Sequence, residues 1–84
     1  MPVEAGMRFR TQGVIIEILE VIPYETPYGG KSFLIAYRIH DHGRVTPTAH
    51  FWLRDYEARG EKLKDKLAEI ASFYNEVKKK VKIT

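Results

Sequence analysis

The chain predicts an α+β fold of β-β-β-α order, in which a small curved antiparallel sheet of three strands carries one long C-terminal helix on one face. Three features lead there. Apolar residues alternate with a period of two from Phe33 to Arg54, the stretch Asp41-His42-Gly43 divides that run, and Leu63, Leu67, Ile70, Tyr74, Val77 and Val81 recur at helical spacing. With 84 residues the chain suits a single domain, and the absence of cysteine rules out a disulfide framework, a thiolate nucleophile and a Cys-based zinc site.

Residues 1–6 show no pattern and are expected to form a loose arm, with the sheet over 7–54 and a helical segment over 55–81. The first strand is expected from Arg8 to Ile22, with Gly13 as a bend or bulge. Val14, Ile16, Ile18 and Ile22 point one way and Ile15, Glu17, Leu19 and Val21 the other. A strand apolar on nearly both sides belongs in a sheet interior, with its second face open to cover by another copy. Pro23 to Lys31 reads as a projecting loop that exposes Tyr24 and Tyr28. Its Gly29-Gly30-Lys31-Ser32 end lacks the first glycine of a phosphate-cradling loop, since Glu25 stands there, and a strand follows it.

In the hairpin, a three-residue loop with Gly43 left-handed sets His40 opposite Arg44, Phe33 opposite Phe51, Ile35 opposite Ala49, Ile39 opposite Val45 and Ser32 opposite Trp52. A two-residue loop at His42 and Gly43 sets Phe33 beside Trp52 but Ile35 beside His50, mixing core with surface, and is disfavoured. Pro47, lacking an N–H, marks a sheet edge or a bulge. Asp55 is expected to cap a turn through Arg59, and the helix to run from about Glu61 to Lys80. Its apolar stripe, flanked by Ala71 and Phe73, spans roughly 160°, wider than a one-sided helix needs. Leu63, Leu67, Ile70, Tyr74 and Val77 are therefore candidates for an oligomer interface as well as for the core, and a homodimer is expected. Lys78, Lys79, Lys80 and Lys82 complement the negative end of the helix dipole.

The even-numbered face of the hairpin gathers Arg38, Arg44, His50, Trp52 and Arg54, and Tyr28 and Lys31 extend it into the loop. Cations interleaved with an exposed ring suit single-stranded DNA or RNA, whose bases stack on aromatics while arginine meets phosphates. The plainer explanation is the solvated side of an antiparallel sheet. The competing function is a homo-oligomeric scaffold joined through the first strand and the helix.

His40 and His50 fall roughly 20 Å apart at a strand's rise, too far to share an ion, so no metal is expected. Neither Ser32 nor Ser72 has a base held beside it, so no enzyme and no cofactor is expected. The longest apolar runs are far short of the ~20 residues of a membrane span, which points to a soluble cytoplasmic protein. A helix rich in Lys and Glu, with Gln12 and Asn75 the only carboxamides, suits a hot environment.

Overall fold

The computed structural model describes residues 2–81. It is an α+β structure: an antiparallel sheet with one long C-terminal helix, in the order β1 (Arg8–Thr11), β2 (Val14–Glu25), β3 (Lys31–Asp41), β4 (Arg44–Val45), β5 (Ala49–Arg54), a short 3₁₀ turn (Asp55–Glu57) and α1 (Gly60–Lys80). The sheet has five strands, not three. β2 lies between β1 and β3, and the other edge of β3 is shared by β4 near the turn and β5 further along.

The extra first strand arises at Gln12 and Gly13, whose φ angles are 52° and 81°. Two consecutive positive φ values make the two-residue turn whose twist matches a hairpin, so the chain reverses where a bend was expected. β1 returns along β2 with Arg8 opposite Glu17 and Arg10 opposite Ile15.

The same geometry recurs at His42 and Gly43, with φ of 51° and 89°. Asp41 thus pairs with Arg44 and His40 with Val45, correcting the three-residue loop. Residues 46–48 then leave the ladder: the Thr46 N–H donates to the Ile39 carbonyl at 3.0 Å, and the Ile39 N–H donates to Thr46 Oγ1 at 2.9 Å. Pro47 lies in this break, where no ladder N–H is required. When pairing resumes, Tyr37 faces Ala49, Ile35 faces Phe51, Phe33 faces Leu53, Leu34 faces Trp52 and Ser32 faces Arg54. The partners differ from those expected by two positions, an even slip, so the two faces of β3 and β5 keep their composition.

β2 carries an irregularity between Ile18 and Glu20. The added residue, Leu19, moves Val21 beside Ile35 on the helix side and sends Ile22 and Tyr24 to the opposite side. β2 and β3 stay paired as far as Glu25 and Lys31, one pair beyond the end of β5 at Arg54, so the expected Pro23 to Lys31 loop shrinks to residues 26–30, closed by Thr26 N–H to the Gly30 carbonyl at 2.8 Å. Pro23 is tolerated in β2 because β1 has already ended and β2 is an edge there. The molecule is 48 Å long and 22 by 19 Å across.

The core lies between sheet and helix. Ile16, Ile18, Ile35, Leu53 and Leu67 are its largest fully buried side chains, each contributing about 1.5–3 kcal/mol of burial free energy before entropy is counted. Leu63, Leu67 and Ala71 share one face of α1 and are buried, because the helix settles toward β1 and β2. It does not lie squarely across Phe33, Tyr37 and Phe51, which remain partly buried. The amino-terminal segment is not a loose arm: Val3 is buried, its N–H donates to the Ala58 carbonyl at 2.8 Å, and Pro2 bridges to Arg59. Nor does Asp55 cap the 3₁₀ turn; Glu57 accepts from the Arg54 N–H at 3.0 Å, while Asp55 takes Arg59 at 3.1 Å. Lys82 lies outside the described residues. No helix among those described is long and apolar enough to cross a membrane.

Candidate nucleic-acid interface

Directly opposed residues in antiparallel strands share a face, so the register maps the side of the sheet away from α1. From the β2–β3 turn inward its rows are Tyr24, Ser32 and Arg54; then Ile22, Leu34 and Trp52; then Glu20, Ala36 and His50; then Arg8, Glu17 and Arg38; then Arg10, Ile15, His40 and Val45. Of the residues singled out from the sequence, Arg38, His50, Trp52 and Arg54 meet here. Arg44 does not, because the shorter turn puts it opposite Asp41 on the helix side. Lys31 pairs with Glu25 on that same helix side, and Tyr28 stands in the β2–β3 turn, 97% exposed.

Two gains offset these departures. The β1 hairpin brings Arg8 and Arg10 onto the open face, and the β2 irregularity brings Tyr24 against Trp52. The two rings meet edge to face, with centroids 5.2 Å apart and planes inclined at 62°, and Trp52 remains 55% exposed. Such a contact contributes about 0.5–1.5 kcal/mol beyond burial and holds the indole in place without covering it. The signal for Arg8 and Arg10 was present in the alternation of Arg8-Phe9-Arg10-Thr11 on one side of Gln12-Gly13 and of Val14 to Glu17 on the other.

Electrostatically the face has two zones. At its centre Glu17 accepts from Arg38 Nε at 2.7 Å, meets His40 Nε2 at 2.6 Å, and has Arg8 at 3.8 Å. The Arg38 guanidinium, then His40, hold the Glu17 carboxyl at about 2, below its ordinary 4.5. Arg38 is thus engaged within the protein. Arg10 and Arg54 lie outside this cluster, toward opposite ends of the face, and Arg8 is held only at its margin. In formal charge the face carries four arginines against two glutamates, Glu17 and Glu20.

A search of family models, curated proteins and solved structures found no match to this chain.

The helix side has its own features. Asp41, only 6% exposed, accepts from Tyr74 Oη at 2.8 Å and Lys78 Nζ at 2.9 Å, and meets His42 Nδ1 at 2.7 Å. His42, then Lys78 and Tyr74, hold its carboxyl well below the usual carboxylate range, while burial and the Asp41 contact push the Tyr74 phenol up. This cluster ties the far end of α1 to the β3–β4 turn. Leu63 and Leu67 belong to the core, whereas Ile70 and Tyr74 are half-buried and Val77 is exposed. Among the described residues, no group of three or more His, Cys, Asp or Glu side chains is placed to hold a metal ion.

Proposed function

We propose that the chain binds single-stranded DNA or RNA across the open face of its sheet, without catalysis. Trp52 and Tyr24 stack bases, Arg8, Arg10 and Arg54 meet phosphates, and Arg38 is held by Glu17 as part of the platform rather than as a free phosphate ligand. One observation carries the reading: an exposed indole, buttressed by a second aromatic ring, in a sheet face where arginine outnumbers carboxylate. That combination matches the stacking platform and cationic track that unstructured nucleic acid requires.

Trp52 is the only tryptophan, so its emission reports on this face alone. Titration with oligo-dT or oligo-U is expected to quench it. In an anisotropy titration, Trp52→Ala is expected to weaken binding by about 5- to 150-fold, the equivalent of about 1–3 kcal/mol per stacked base. Three arginine–phosphate contacts imply a log–log salt slope of about −2 for a single strand. Unchanged emission together with equal affinity in Trp52→Ala would reject the proposal.

A further inference from the structure

The side of the molecule bearing α1 contains an apolar groove of about 610 Å³, open along its length, between the C-terminal half of the helix and the β3–β5 edge of the sheet. Tyr37, Phe51 and Pro47 form one wall, and Ile70, Tyr74 and Val77 the other. The groove exists because α1 is drawn toward β1 and β2, leaving Tyr37 and Phe51, in edge contact at 5.1 Å, without a helix over them. On the helix wall stands Phe73, 64% exposed, with Val77 one turn on at 42%. An exposed phenylalanine beside an aromatic recess is an unusual thing for a lone chain to leave in water.

We infer that this groove is the contact surface for a second copy of the chain, related by a two-fold axis, with Phe73 of each copy seated in the groove of the other. A two-fold interface presents the same patch twice, so it must be complementary to itself. A projecting ring beside a recess lined by rings meets that condition. The charges lining the groove, Lys66 and Glu69, are one of each sign, so the groove itself brings no net charge to the contact.

Size sets the strength. A standard interface uses about 20–30 residues and 800 Å² per partner, and the thirteen residues lining the groove supply about half of that. The contact therefore falls among small, reversible interfaces, below the size of a stable dimer. The groove lies on the opposite side of the sheet from Trp52, so pairing leaves the arginine face open on both copies. The inference does not depend on nucleic-acid binding.

Sedimentation velocity from 5 μM to 1 mM tests it on the full chain. The wild type is expected to shift from monomer toward dimer across that range. Phe73→Lys and Val77→Lys are each expected to remain monomeric throughout, at least tenfold weaker. Because both positions are exposed, circular dichroism and thermal midpoint at 5 μM are expected to match the wild type, which separates loss of pairing from loss of folding. A wild type monomeric at 1 mM overturns the inference, as does a dimer that survives both substitutions. A monomer whose groove still takes up a fluorescent apolar dye, lost in Phe73→Lys, overturns it in favour of a different occupant.

Discussion

Replacing Asp41 with alanine removes the only side-chain hydrogen bonds, among the described residues, between the β3–β4 turn and the last turns of α1. The Tyr74 hydroxyl donates to a buried, charged acceptor at 2.8 Å, a bond that contributes about 1.5–3 kcal/mol. Lys78 is half-exposed at 2.9 Å and adds about 0.2–1 kcal/mol; His42, whose side chain is 85% exposed, adds little. The sum is about 2–4 kcal/mol, and because Tyr74 is only half-buried its freed hydroxyl regains water, favouring the lower half. A domain of this length has roughly 4–13 kcal/mol of stability in all. Urea denaturation at pH 7 reads the loss directly, and a double-mutant cycle with Tyr74→Phe isolates the buried bond, expected to show about 1–2 kcal/mol of coupling. The pH dependence follows from the depressed Asp41 carboxyl: its contribution is full above the ordinary pKa of 3.8 and is lost as pH falls below that toward the lower folded-state value. Wild type therefore loses stability on the acid limb that Asp41→Ala does not have to lose. A change under 0.5 kcal/mol at pH 7, or identical acid limbs, would refute the tethering role.

Two further outcomes follow from contacts between segments distant in the chain. Glu17→Gln removes the charge that engages Arg38; if the open face binds single strands, oligonucleotide affinity is expected to rise and the salt slope to steepen by about 0.7, and an unchanged slope would show that Arg38 stays out of reach. Val3→Ala deletes two buried methyl groups from the core and is expected to cost about 1.5–2.5 kcal/mol in urea denaturation, whereas a loose arm would cost nothing.

Much of the fold was legible because its signals are local. The alternation from Phe33 to Arg54 places Ile35 and Leu53 in the core and Trp52 and Arg54 outside, and the recurrence of Leu63, Leu67, Ile70, Tyr74 and Val77 locates the helix to within one residue of its observed start. The turns were harder. Gln12 and His42 both adopt positive φ, a conformation uncommon in any residue other than glycine, and each turns an expected bend or three-residue loop into a two-residue turn. That change moved Arg44 off the candidate face and brought Arg8 and Arg10 onto it.

By itself, then, the sequence determined the α+β class, the terminal helix and which side chains of β3 and β5 share a face, since each depends on periodicity along neighbouring residues. Only the tertiary structure decided that Arg38 is engaged by Glu17, that Tyr24 supports Trp52 and that Tyr37 and Phe51 lie beside an open groove. Those depend on a slipped register, one added residue in β2 and a helix drawn to one side, all set by packing between segments distant in the chain, where a one-residue difference exchanges one face for the other.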